Sequence, residues 1–166
     1  MKNHEESNLQ KQCVAWFRAQ YPQFAMLMTH PINEGGKNTR ASGAIHKGEG
    51  TVAGVPDLLF FLPSYMQTKD TMDRPIWTEI HGLGIEMKTS TGKQSPEQKK
   101  FQKMFEAAGY SYHIVKSFEE FRLLVIWYIN MAYEGYKKDI TETYKKLQKE
   151  AEDKEREHFY KVIGKK

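Results

Sequence analysis

Apolar positions along this chain fall into two periods, and the switches between them predict its elements. Leu9, Cys13, Trp16 and Phe17 recur at helical spacing, predicting a helix over 5–20 with one apolar stripe, ended by Tyr21-Pro22. Phe24 to Met28 reads as a short buried strand. Val55 to Leu62 is the first strong core strand, with Pro56 at its start because proline cannot donate to a ladder; Asp57 then sits at the strand entrance. Leu83 to Thr89 is the second core strand and Tyr110 to Val115 a third. Between them Ser95-Pro96-Glu97-Gln98 opens a helix: Ser as N-cap, Pro at the first position, Gln three residues after the cap. Phe101, Met104, Phe105 and Ala108 give its apolar face and Gly109 its stop. Ser117-Phe118-Glu119-Glu120 opens another helix reaching about 133, and the apolar run 123–129 predicts that it is buried on most sides.

Two stretches break the periods. Residues 29–54, with Gly35, Gly36, Gly43, Gly48 and Gly50, are poor in apolar residues and carry Lys37, Arg40, His46 and Lys47, which reads either as a substrate-contacting loop or as a solvated one. Residues 64–82 form a polar excursion, a loop or hairpin insert, with 76–80 as an edge strand. From Gly135 the chain is rich in Lys and Glu, and Ile140, Tyr144, Leu147 and Ala151 make a heptad-like seam for the body or for a second copy. The expected division is a body over 1–134 and a charged helical extension over 135–166. A strand–helix–strand crossover joined to a pair of strands that can run antiparallel predicts an α/β fold with a mixed sheet flanked by helices.

Composition changes this picture little. A chain of 166 residues is one domain's worth, and nine Phe, nine Tyr and three Trp are enough for a core. Of the net charge of +4, residues 135–166 hold +3, so the body is near neutral and charge alone does not name a polyanionic partner. Cys13 is the single cysteine, which excludes an internal disulfide and a zinc-finger ligand set and favours a reducing cytoplasm. No apolar stretch follows the first residues and no run is long enough for a membrane, so a soluble protein without an export signal is expected.

Chemistry enters at the core strands. On an alternating strand Glu86 and Lys88 share one face while Ile85 and Met87 share the other. If the Asp57 strand is its neighbour, the two carboxylates converge, and their repulsion calls for a cation. Oxygen ligands suit Mg²⁺ or Mn²⁺, with the Met87 carbonyl as a further ligand and Lys88 placed to face an attacking water or a developing phosphorane. The bland alternative is an exposed Glu86–Lys88 pair contributing about 0–1 kcal/mol. Local rules favour Glu6 as half of an Asn3-x-x-Glu6 capping box and read Gln98 as a capping glutamine.

Taken together, Glu6-x-x-x-Gln10, Asn33-Glu34-Gly35, Gly54-Val-Pro-Asp-Leu-Leu, Ile85-Glu-Met-Lys, Gly92-Lys93-x-Ser95-x-x-Gln98 and Val115-x-Ser117-x-Glu119-Glu120 resemble the VRR-NUC branch of the PD-(D/E)XK nucleases over roughly 5–125. The resemblance implies a restriction-endonuclease-like fold and a Mg²⁺/Mn²⁺-dependent DNA endonuclease. It makes Asp57, Glu86, Lys88, Glu6 and Gln98 the catalytic residues, with Asp57, Glu86 and Met87 holding the metal. Stand-alone members look like bacterial or viral (phage) nucleases that cut branched DNA, such as Holliday junctions, as homodimers in the cytoplasm of the bacterium or infected cell. Arg40, Lys93, Lys99 and Lys100 are the expected phosphate contacts. Flaps, nicks or single strands are alternative substrates, and a DNA-structure binder or phage assembly protein without catalysis is the alternative of a different class. The length of the 64–82 excursion and the tail from 135 depart from the family pattern.

Overall fold

The computed structural model describes residues 2–31 and 50–163; Arg40, Lys37, His46, Lys47 and the Asn33-Glu34-Gly35 motif lie outside them. Helix α1 (Lys2–Gln20) is followed by a 3₁₀ turn (Pro22–Leu27) and strand β1 (Met28–Thr29). Then come β2 (Leu58–Phe60), β3 (Ser64–Lys69), β4 (Pro75–Ile80), β5 (Leu83–Met87), α2 (Pro96–Ala107), β6 (Ser111–Val115), α3 (Phe118–Met131) and α4 (Glu134–Ile163). Four strands form a mixed sheet in the order β1-β2-β5-β6. β2 pairs antiparallel with β1 and β5, whereas β5 and β6 run parallel with α2 as the crossover. The α/β class and the mixed sheet are as the order of elements predicts.

One face of this sheet carries the apolar core. Phe17 from α1, Phe60 from β2 and Tyr128 from α3 interlock, with ring centroids 5.2 Å apart for Phe17–Phe60 and 5.9 Å for Phe60–Tyr128. Leu83, Ile85 and Met87 complete it from β5. Cys13 is fully buried in the same cluster, and burial pushes its thiol up to about 12, so it acts as a small apolar group. The Tyr128 hydroxyl donates to the Leu62 carbonyl at 2.9 Å, and Ser64 Oγ donates to the Tyr128 carbonyl at 3.1 Å, locking α3 to the end of the strand.

The other face receives α2, and two glycines let it come close. A Cβ on Gly84 would lie 2.9 Å from the Phe105 ring, so a side chain there would lift the helix from the sheet. Gly54 has φ of 88° and its Cβ would meet the Glu97 carbonyl oxygen at 2.4 Å, so only glycine lets the turn before Asp57 dock on the start of α2.

Several local expectations are corrected. Residues 24–28 are not a strand: Pro22 sets the first position of a 3₁₀ turn, Phe24 N–H donates to Tyr21 O, and only Met28 and Thr29 reach the ladder. The β2 ladder is shorter than 55–62, because Val55 and Pro56 belong to the turn on α2 and Phe61 N–H donates to Leu27 O. The 64–82 excursion, by contrast, is the hairpin of the two expected alternatives, with the strand expected over 76–80 in place. It forms a separate two-stranded sheet whose turn is held by Asp70, which accepts from the Met72 and Arg74 N–H groups. Helix α3 is buried on one side only, with Leu123 and Trp127 on its exposed side. On α4, Ile140 packs on the core and Tyr144 is half-buried beside the 3₁₀ turn, while residues from Lys145 to Val162 are exposed. Among the described residues no helix is long and apolar enough to cross a membrane.

Candidate active site

Glu86 is the centre. It alternates with Ile85 and Met87 on β5 and therefore turns away from the apolar core towards α2, where it is only 1% exposed. A carboxylate this buried needs donors, and three converge on it. Lys88 Nζ donates to Oε1 at 2.5 Å, the Gln98 amide donates to the same oxygen, and the Tyr112 hydroxyl donates to Oε2 at 3.2 Å. Lys88 is itself largely covered, at 12% side-chain exposure, so the exposed-pair reading of Glu86 and Lys88 fails.

Asp57 arrives from β2. The register pairs Leu58 with Ile85, so the preceding residue, Asp57, lies across from Glu86. Its Oδ2 accepts from the Met87 N–H at 2.6 Å. A strand residue's N–H and C=O point to the same side, so the Met87 carbonyl faces the Asp57 edge as well. Both acids are held above the ordinary carboxylate range. For Asp57 the main cause is burial, opposed by the Met87 N–H and the Lys88 charge and reinforced by the Glu6 charge. For Glu86 it is burial and then the negative charge of Asp57, opposed by Lys88 and by the Tyr112 hydrogen bond.

Glu6 and Gln98 answer the capping question differently. Helix α1 already includes Asn3, so Asn3 is not its N-cap, and Glu6 accepts instead from the Thr89 N–H at 3.0 Å, next to Lys88. Gln98 does both jobs: its Oε1 accepts from the Ser95 N–H at 2.8 Å, completing a capping box, while its Nε2 reaches Glu86. Lys93, Lys99 and Lys100 are exposed on the turn into α2 and on its first turns, around Gln98.

The chain is similar to a solved structure described as a "VRR_NUC domain protein", with a TM-score of 0.56 and 22% identity, covering 76% of this chain and 89% of that one. The chain has the VRR-NUC fold. No protein-family model and no curated protein matches it. At that identity the likeness to the VRR-NUC protein speaks for the fold, and the chemistry must be read from the side chains.

Tyr112 and His30 are site residues that the motifs pass over. Tyr112 was legible in principle: β6 runs parallel to β5 with Gly84 opposite Tyr112, so Tyr112 falls on the Glu86 face. His30, whose Nδ1 lies 2.6 Å from the Asp57 carbonyl oxygen, follows a two-residue strand and carries no local signal. Among the described residues no three of His, Cys, Asp and Glu come together as a metal cage. The set is two carboxylates and a carbonyl. That fits a hard divalent cation, since Mg²⁺ commonly binds through one or two carboxylates and completes its shell with water and substrate phosphate. Three donors on the roughly four lone-pair positions of the Glu86 carboxylate leave one for such an ion.

Proposed function

We propose that this chain is a Mg²⁺- or Mn²⁺-dependent endodeoxyribonuclease that hydrolyses phosphodiester bonds. The observation that carries the reading is the buried carboxylate of Glu86 with the half-buried Asp57 across from it, gathered with Lys88 and Gln98 on a VRR-NUC fold. The charge of Asp57 raises the proton affinity of Glu86, and a cation between the two relieves that repulsion.

Asp57, Glu86 and the Met87 carbonyl would hold the ion, which when bound supplies polarisation of the phosphate and acidification of a bound water. The chain's own residues do the rest. The Met87 N–H fixes one oxygen of Asp57, and Tyr112 and Gln98 fix both oxygens of Glu86, so neither carboxylate need reorganise during the reaction. Lys88 keeps a compact positive charge beside Glu86, where it faces the attacking water and the negative charge that grows on the phosphate. One P–O bond forms to the water oxygen as the bond to the leaving oxygen breaks; the water's proton passes to solvent and the leaving oxygen takes one up. Glu6 braces Thr89 and so the strand end that carries Lys88. Lys93, Lys99, Lys100 and Arg40 are proposed as sequence-blind phosphate contacts.

Branched DNA such as a four-way junction, cut by a homodimer, is the proposed substrate. Exposed Leu123 and Trp127 on α3, beside the open edge of β6, provide an apolar surface on which two copies could meet. The test is cleavage of four-way, flap, duplex and single-stranded DNA with Mg²⁺, with Mn²⁺ and with EDTA, alongside Asp57→Ala. Metal-dependent cleavage absent from the variant is the expected result. Binding without cleavage in either metal would leave a DNA-structure-binding protein in its place.

A further inference from the structure

We propose that a groove along the outer side of α1 carries a phosphodiester strand towards the Asp57–Glu86 centre, a reading that rests on the nuclease function above. The groove, about 450 Å³, is lined by Ser7, Gln10, Lys11, Val14, Arg18 and His30. Ser7, Lys11, Val14 and Arg18 are spaced by three or four residues and so form one stripe along the helix, apart from the buried positions Cys13 and Phe17. No acid lines it. Two cations, an imidazole, a hydroxyl and an amide rim a largely apolar floor that includes Val14 and Ala15, and they are the donors that a sugar-phosphate backbone takes up.

The dimensions agree. Lys11 and Arg18 are seven residues apart, about 10 Å along the helix at 1.5 Å per residue. That separation lets the two cations meet different phosphates of one strand. The groove also leads to the right place. His30 Nδ1 lies 2.6 Å from the backbone carbonyl oxygen of Asp57, and Glu6, immediately before Ser7, accepts from the Thr89 N–H next to Lys88. A strand leaving the groove past Ser7 and His30 therefore arrives beside the carboxylates. Lys93 lies on the turn into α2 and Lys99 and Lys100 on its first turns, and the α1 stripe supplies a second wall of positive charge.

The experiment measures DNA binding by fluorescence anisotropy in EDTA across a salt series. It uses the full chain, Lys11→Ala/Arg18→Ala, the milder Lys11→Gln/Arg18→Gln, and Lys145→Ala/Lys146→Ala on the exposed part of α4 as a charge-matched control. All four positions are exposed, and thermal unfolding checks that each variant folds. Losing two phosphate contacts should make the slope of log K against log salt shallower by roughly 1.8 for duplex or roughly 1.4 for single strands, with the control unchanged. An unchanged slope in both groove variants, an equal change in the control, or no DNA binding by the full chain overturns the groove. The two proposals fail separately. Groove-dependent binding without metal-dependent cleavage removes the nuclease and keeps the groove; cleavage with an unaltered slope does the reverse.

Discussion

Helices α2 and α3 open with the same device and differ in what the third residue does. Each has a serine N-cap whose side chain accepts from the N–H three residues on, at 3.2 Å from Gln98 in α2 and 3.2 Å from Glu120 in α3. In α3 that third residue is an exposed glutamate whose carboxylate turns back to the Lys116 N–H at 2.7 Å, and its role ends there. In α2 it is a glutamine, which has an acceptor and a donor on one group. Its oxygen closes the cap and its nitrogen is left for Glu86. A glutamate would cap equally well and would set a third negative charge on the Asp57–Glu86 pair. The local rule admits either residue; the buried carboxylate selects one.

Exchanging the two side chains gives the largest expected effect. Gln98→Glu keeps the capping box, removes the amide donor from Glu86 and adds a like charge beside it. Metal-dependent cleavage should fall on the order of 10²-fold, comparable to removing one preorganised donor from an active site. The mirror change, Glu120→Gln, should leave the rate alone and alter stability by under about 0.5 kcal/mol. Rates measured for both variants decide it; equal losses would mean that the two caps are equivalent and that Gln98 has no part in the site.

The acids around the two caps also titrate in opposite senses. On α3, Glu119 is held below the ordinary range by the Arg122 guanidinium. At the site, Asp57 and Glu86 are held above theirs, first of all by burial. A raised acid binds protons more tightly folded than unfolded, so the metal-free protein loses stability as pH climbs from the ordinary values of 3.8 and 4.5 through the raised ones, and the loss is complete above them. Chemical denaturation from pH 4 upwards should show that decline in the wild type, a shallower one in Asp57→Asn, and recovery on adding Mg²⁺ or Mn²⁺, since a ligand bound only to the folded state stabilises it. A wild-type curve that rises through the same window would contradict the direction assigned to both carboxyls.

Tyr112→Phe acts on Glu86 without touching either cap. It removes one hydroxyl donor at 3.2 Å and leaves the ring in place, so about 1 kcal/mol, a several-fold loss in cleavage rate, is expected. Paired with Gln98→Ala in a double-mutant cycle the losses should not add, because both donors orient one carboxylate. Strict additivity would show that Tyr112 works independently of Glu86.

The contrast between the caps also shows what could be read from residue order. Alternation on β5 placed Glu86 and Lys88 on one face, and the Ser-Pro-x-Gln start of α2 was legible to the residue, because both depend on neighbours within a turn or a strand. For Gln98 the local rule gave only the cap, since nothing local reveals that a carboxylate 12 residues earlier faces the helix start; the structure shows the cap and, beside it, the bond to Glu86. Glu6 failed in the other direction: its partner is 83 residues away, and the capping box expected at Asn3 is lost because the helix starts earlier. The 3₁₀ turn at Pro22–Leu27 was missed because a short apolar run has no period long enough to distinguish it from a strand. Tyr112 needed the parallel register of β5 and β6, which the segment order permits but does not specify.

The smallest effect separates the caps by their serines. Ser117→Ala removes an exposed capping bond and should cost about 1 kcal/mol of stability, read by urea denaturation, with no change in cleavage rate. Ser95→Ala should cost about as much, because the same bond is lost. The Ser95 N–H still holds the Gln98 oxygen after that change, so the amide keeps its aim at Glu86 only as well as the first turn of α2 keeps its shape. The Gly54 turn rests on that first turn at Glu97 and also delivers Asp57, so loosening it disturbs both carboxylates at once. A few-fold lower rate in Ser95→Ala, beside an unchanged rate in Ser117→Ala at equal loss of stability, is the expected result. Equal rates would confine the Ser95 hydroxyl to the helix and leave Gln98 positioned by Glu86 and the Ser95 N–H.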